Sequence, residues 1–345
     1  MKIAQLVSGM HPVFPSSNVA IYSHVGWLIN GLKEMSHRVS LYGAGDSDID
    51  CELVSAYPTA LTSDEDLSEN LQKYYTNLLI SKCYQDAAKF DIIHSHFTLL
   101  SAFFAPLVST PTIHSVHSPI SAKTQPILEA LPDNYYVSFS WAQRQQMPSL
   151  NWIANIYHGV DTNQFEFNDK PDDYFLYLGR ITEEKGVHLA IEAAKKAGVP
   201  LVLAGHSYPN EGYWHKKIEK YIDGKNVKYV GETNFYEKIQ YLRKAKGLLF
   251  PTQYPEVFGC VMIEAMSCGT PVIAWKNGSV PEVIADGRSG YVVESVDEMT
   301  KAINAVDKLS RRNTRYRAEA LFSVEKMVSG YAKVYDRVIE EHEAQ

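Results

Sequence analysis

The chain has 345 residues, 45% of them hydrophobic and 21% charged, a composition that excludes a disordered or fibrous protein. That length exceeds one typical core and suits two domains. The net charge is −7, with 8 Lys+Arg against 14 Asp+Glu in residues 1–165 and near balance beyond, which argues against nucleic acid or an anionic membrane as the main partner. No apolar run has the length to cross a bilayer, and Met1-Lys2-Ile3-Ala4 reads as the start of a strand rather than a signal peptide. Cys51, Cys83, Cys260 and Cys268 form no close CxxC pair and are expected as reduced thiols, so a cytoplasmic location is expected.

In chain order, short apolar strand candidates alternate with amphipathic helical stretches, the pattern of parallel α/β layers. In the first half, 2–7, 38–42, 91–96 and 112–116 read as strands, with helical patterns at about 20–35, 66–89 and 98–108 between them. In the second half, 174–178, 201–204, 227–230, 247–250, 271–274 and 290–293 repeat the theme. Helices are expected there at about 186–198, 212–222, 235–245, 259–268 and 297–308. A polar, proline-containing stretch at 163–173 suggests the boundary, giving domains 1–165 and 166–323. A last helix over 324–341 carries Met327, Tyr331, Val334, Tyr335 and Val338 at helical spacing and is expected to fold back on the first domain. The fold class is therefore α/β, with two doubly wound, Rossmann-like domains facing a cleft; ligands in such sheets bind beyond the carboxyl ends of the strands.

Two carboxylates, Glu256 and Glu264, stand eight residues apart, one before a helix and one on it, with Phe258-Gly259 at the junction. A helix N-terminus offers free amides and partial positive charge to a phosphate, and carboxylates accept hydrogen bonds from hydroxyls. Phosphate flanked by polyols describes a nucleotide-sugar. Arg180 and Lys185 lie in the loop after the first strand of the second half, where such architectures hold phosphate. Glu264 sits among Val261, Met262, Ile263, Ala265 and Met266; a carboxylate on so apolar a helix needs a partner, which favours a ligand role.

Gly179-Arg180…Glu184-Lys185-Gly186, Pro255-Glu256-Val257-Phe258-Gly259…Glu264-Ala265…Gly269-Thr270-Pro271-Val272-Ile273-Ala274 and Gly278-Ser279-Val280-Pro281-Glu282-Val283-Ile284 resemble the GT-B family 4 of retaining glycosyltransferases. The likeness covers nearly the whole second half. It runs more loosely through Gly45-Asp46-Ser47, His117-Ser118-Pro119 and His158-Gly159-Val160-Asp161. It implies a hexosyltransferase that moves a sugar from a nucleotide diphosphate-sugar, foremost a UDP-sugar, to a hydroxyl of a sugar or small-molecule acceptor. Arg180 and Lys185 would hold the diphosphate, Glu264 the ribose, and Glu256 the hydroxyls of the transferred sugar. The backbone of Phe258, Gly259, Cys260 and Val261 would touch the sugar or its phosphate, and His117 would approach the ring from the other half. No cofactor and no metal is implied, nucleic acid is not a partner, and any membrane association is peripheral. Two other readings share the fold: a sugar phosphorylase or nucleotide-sugar hydrolase, and a non-catalytic accessory subunit.

One stretch departs from the family. Relatives usually carry Gly-Gly after the first strand, where this chain has Pro15-Ser16-Ser17-Asn18-Val19-Ala20, residues that resist the backbone angles glycine permits. Asp46-Ser47-Asp48 spells a metal motif of another glycosyltransferase architecture, but falls in an acidic loop that reads as solvated. His94, His96, His114 and His117 permit a zinc cluster on paper. The plainer reading makes them separate residues at strand ends. Glu282 reads as a first-turn acid near a helix start.

Overall fold

The computed structural model describes residues 1–208 and 212–344. The chain divides into two compact units, Met1–Gly159 with Val324–Gln345, and Val160–Ser323. In the first, β1 (Lys2–Leu6), β2 (Arg38–Tyr42), β3 (Glu52–Val54), β4 (Ile92–Ser95), β5 (Thr112–Ser115), β6 (Tyr135–Ser138) and β7 (Trp152–Asn155) form one sheet of order β3-β2-β1-β4-β5-β6-β7, parallel throughout. The expected strands of this half correspond to β1, β2, β4 and β5. Strands β3, β6 and β7 escape the pattern: β3 has three residues at an edge, and β6 is interrupted by a register shift against β7 between Tyr136 and Val137.

A parallel sheet covered on both faces calls for apolar strands, yet β4 and β5 bury His94, Ser95, His114 and Ser115 completely. The polar atoms of His94 and Ser115 are met by a helix far away in sequence. His94 Nδ1 lies 2.8 Å from Tyr335 Oη and its Nε2 2.8 Å from Ser115 Oγ, which in turn lies 2.8 Å from Tyr331 Oη. Both tyrosines belong to the terminal helix Val324–Glu343, whose apolar stripe is buried in this unit. The same helix lies against the helix Ala20–Glu34 at Gly31, where an added Cβ would come within 2.5 Å of Val328.

The helix expected over 98–108 is replaced by a short turn of helix, Thr98–Ser101, and a 3-10 turn, Ala105–Leu107. Pro106 lies inside that span and cannot donate to a continuous helical ladder.

In the second unit, β8 (Phe175–Leu178), β9 (Leu201–Ala204), β10 (Val227–Tyr229), β11 (Gly247–Phe250), β12 (Val272–Trp275) and β13 (Gly290–Val293) form a parallel sheet of order β10-β9-β8-β11-β12-β13. Each falls where the apolar runs place it. In place of a regular helix over 212–222 there is a π turn, Trp214–Ile218, running into a 3-10 turn, Glu219–Tyr221. The helix Arg311–Leu321, too polar to show an apolar stripe, anchors the unit by hydrogen bonds. Arg311 donates to the carbonyls of Asn168, Ala245 and Arg243, and Arg315 to those of Phe165, Ser267 and Thr162. These ties draw residues 160–168 into the second unit, so the division falls at Gly159–Val160, before the polar stretch. No helix among the described residues is long and apolar enough to cross a membrane.

Two outcomes follow. Gly31→Ala should lower stability by about 1–3 kcal/mol through overpacking, read as a lower thermal midpoint, and adding Val328→Ala should recover it. His114 is buried and its pKa is pushed down to about 3 by desolvation. Below its unfolded value of about 6.5 the unfolded chain therefore binds a proton the native one refuses. Stability conferred by His114 is present above about pH 6.5 and lost toward pH 3, at up to about 1.4 kcal/mol per pH unit. His114→Phe should make acid destabilisation shallower by that amount in urea titrations.

Candidate active site

The strand order of the second sheet reverses between β8 and β11, and the loops leaving these two neighbours enclose the crevice where doubly wound sheets take ligands. The loop after β8 runs from Gly179 to Gly186 and carries Arg180 and Lys185. The loop after β11 runs from Pro251 to Gly259 and carries Glu256. They are joined through backbone: Gln253 N donates to Glu184 O at 2.7 Å. Tyr177, on β8, donates its hydroxyl to Arg180 O at 2.8 Å, fixing the start of the first loop.

Lys185 and Glu256 meet directly. Lys185 Nζ donates to Glu256 Oε2 at 2.8 Å and to Tyr254 Oη at 2.8 Å, while Tyr254 Oη donates to Glu256 Oε1 at 3.1 Å. Burial, then the neighbouring Glu256 carboxylate, push the Tyr254 phenol upward, so it remains a donor. The Lys185 and Glu256 side chains retain only 15% and 10% of their exposure, and the ammonium also lies 4.4 Å over the Tyr254 ring. Removal from water raises the energy of each charge, and the other offsets it.

The second loop is held from behind. Ser279 N donates to Glu256 O at 3.0 Å and Ser279 Oγ to Phe258 O at 2.8 Å. Gly278, at φ +51°, lets this support approach: a Cβ there would strike the Glu256 backbone. Gly259, at φ +80°, turns the chain into the helix Cys260–Ser267, whose first turn has no side-chain cap and no acidic residue among the described residues. The amides at this end thus keep their donor capacity and dipole for an anion. Phe258 is fully buried, while Gly259, Cys260 and Val261 are partly exposed.

Glu264 lies one turn along that helix, buried, and its Oε1 accepts from Lys238 Nζ at 2.7 Å. The partner that the sequence demands for Glu264 is thus supplied inside the protein by Lys238. Lys238 belongs to the helix Phe235–Lys244, which opens with a capping box between Asn234 and Glu237, and its ammonium lies 4.9 Å over the Phe235 ring. Arg180 differs from both lysines: it is half-exposed and makes a 3.3 Å pair with Glu184, an arrangement of little strength in water.

Arg180, Lys185, Glu256, Glu264 and residues 258–261 thus share one unit and one end of one sheet. Lys238, Tyr254, Gln253 and Ser279 complete the arrangement; of these only Ser279 falls in a family-like motif of the sequence, and none has a role assigned there. The two-residue spacing of Tyr254 and Glu256 is the signal that could have pointed to Tyr254. Glu282 occupies the first turn of the helix Val280–Val283.

His117 lies in the other unit. It is not separate from its neighbours: Nε2 lies 3.0 Å from His96 Nδ1, and the His94 and His96 rings are 4.0 Å apart. The expectation of independent strand-end histidines is corrected, because the helix Ala20–Glu34 and the ends of adjacent parallel strands gather them. Asp46, Asp48 and Asp50 are exposed, while Ser47 donates to Ala44 O and accepts from Val13 N, an ordinary loop clasp. In the Pro15–Ala20 stretch, Ser17 N donates to Phe14 O and Val19 N to Ser17 Oγ, closing a turn without glycine.

Lys238→Ala would leave the Glu264 charge buried alone and should cost about 3–5 kcal/mol. The pair Lys238→Met with Glu264→Gln should restore most of that in chemical denaturation.

Residues 161–320 match the family model described as glycosyl transferases group 1. An uncharacterized glycosyltransferase of Methanocaldococcus jannaschii is 24% identical over 342 residues, covering 91% of this chain and 93% of its own. The D-inositol 3-phosphate glycosyltransferase of Stackebrandtia nassauensis is 26% identical over 319 residues, covering 78% and 72%. Among solved structures, AviGT4, a glycosyltransferase involved in avilamycin A biosynthesis, superposes with a TM-score of 0.76 at 22% identity over 98% of both chains. The Anabaena protein HepE, in complex with UDP and glucose, gives 0.74 at 19% identity over 98% of this chain and 100% of its own. These likenesses span the chain and establish a shared fold.

Proposed function

We propose that this chain, whose residues 161–320 match the group 1 glycosyl transferases and which has the GT-B fold, moves a sugar from a UDP-sugar to a hydroxyl acceptor, with retention and without a metal at the diphosphate. The observation that carries this reading is the Lys185–Glu256 pair at the β8/β11 reversal, beside the uncapped end of the helix Cys260–Ser267. The UDP bound to HepE supports the choice of nucleotide.

Without donor, the two charges neutralise one another. An arriving diphosphate offers Lys185 a stronger, doubly charged partner. The exchange releases Glu256 to accept hydrogen bonds from the hydroxyls of the transferred sugar. Arg180 leaves its weak surface pair at small cost and adds a planar fork of donors. The amides of residues 258–261 face the same anion, and Glu264, steadied by Lys238, accepts from the ribose.

As the bond to the leaving phosphate lengthens, charge grows on oxygens already ringed by donors, and one such donor is worth about 3 kcal/mol. The acceptor hydroxyl then attacks from the face the nucleotide leaves, its oxygen bonding to the sugar carbon as its proton passes to the departing diphosphate oxygen.

Calorimetric titration with UDP, GDP and ADP tests the reading. UDP should bind best, and Arg180→Ala and Lys185→Ala should each weaken it by roughly 10- to 100-fold, the worth of a hydrogen bond to a charged group. Glu256→Gln should leave UDP affinity near that of wild type while abolishing turnover of the UDP-sugar. Affinities unchanged in both basic-residue variants would remove the diphosphate assignment.

A further inference from the structure

We propose that His24, His96 and His117 form a transition-metal site, with Zn2+ the ion their chemistry fits best. The site lies within the N-terminal unit and does not depend on the donor reading. The strand order of that sheet reverses between β1 and β4. His24 lies in the helix entered from β1, His96 follows β4, and His117 follows β5, the next strand over. One imidazole nitrogen from each ring lies within 4.8 Å of the other two.

The geometry is close to a coordination sphere. Zn–N bonds of about 2.0–2.1 Å in a tetrahedral site set ligating nitrogens roughly 3.3–3.4 Å apart. His96 Nδ1 and His117 Nε2 are already 3.0 Å apart, and a His24 ring nitrogen lies within 4.8 Å of the ligand atoms of both.

The outer partners are those a ligating imidazole needs. His96 Nε2 lies 2.8 Å from Gln5 Oε1, an acceptor, and therefore carries the proton. Gln5 is oriented by its own Nε2, which donates to Tyr335 Oη at 3.1 Å. His96 Nδ1 thus presents a lone pair toward His117, and a carbonyl on the far nitrogen is how metal-bound histidines are held. His24 Nδ1 lies 3.0 Å from His158 Nδ1. The other nitrogen, Nε2, is buried with no hydrogen-bond partner among the described residues. A ligand bond would satisfy that nitrogen.

A set of imidazoles without oxygen ligands suits zinc, copper or nickel and not magnesium or calcium. Three neutral ligands leave a fourth position for water, and His117 is the least buried of the three. Ligation through His117 Nε2 puts its proton on Nδ1.

The full chain is titrated with Zn2+ against a chromophoric chelator, and with Co2+ followed by visible absorption. One ion per chain is expected, with the intense band of four-coordinate Co2+. His24→Gln and His96→Gln should each lose at least tenfold in affinity, and Gln5→Leu, which touches only the outer partner, roughly 10- to 100-fold. In wild type, 15N resonances of His24, His96 and His117 should shift with Zn2+ while those of His188 and His206 stay in place; this decides the matter even where a variant fails to fold. Six-coordinate Co2+, affinity equal in all variants, or unmoved ring resonances would overturn the proposal. UDP binding measured on the same samples separates this outcome from that of the donor reading.

Discussion

The structure of the second unit depends on one topological constraint, the reversal of strand order between β8 and β11. Crossovers from β8 toward β9 and from β11 toward β12 leave in opposite directions, so the two loops part and a crevice stays open between them. Into it the chain puts a lysine from one loop and a glutamate from the other, 2.8 Å apart. The pair is tolerated in its buried surroundings because each charge compensates the other. In the exchange proposed above, an incoming diphosphate would take over the compensation of Lys185.

Both units satisfy buried polar groups with residues remote in sequence. Glu264 is met by Lys238, the carbonyls around 162–168 by Arg311 and Arg315, and His94 with Ser115 by tyrosines more than two hundred residues away. Buried polar networks are costly when incomplete. Each therefore accepts few alternative arrangements, which favours a single geometry around the loops that carry chemistry.

This remoteness explains what could be read from the sequence. The strands of the second unit were legible because each is a short apolar run between turn residues, and β8 and β11 placed Arg180, Lys185 and Glu256 at strand ends without further help. The family-like motif around Glu256 and Glu264 carried the remaining site residues. Lys238 left no trace, since a lysine on an amphipathic helix reads as solvent-facing until its partner is known. The histidines were legible one by one, but their assembly was not. It is set by the register of β4 against β5 and by a helix some seventy residues upstream. Strand β3 is too short, and β6 too irregular, for a two-residue period to register. The helix Arg311–Leu321 anchors through arginines donating to carbonyls, a form of packing that hydrophobic periodicity does not report.

The placement of Val324–Glu343 has a consequence for biosynthesis. Ribosomes deliver the chain from its first residue onward, and domains ordinarily mature in the order they emerge. Here the middle segment, 160–323, is continuous and closes its own sheet as soon as it is made. The opening segment must wait with His94 and Ser115 lacking their tyrosine partners until the final helix clears the exit tunnel. Residues 1–159 are thus completed after the segment that follows them, and a nascent-chain arrest before residue 324 would leave the second unit complete and the first unfinished.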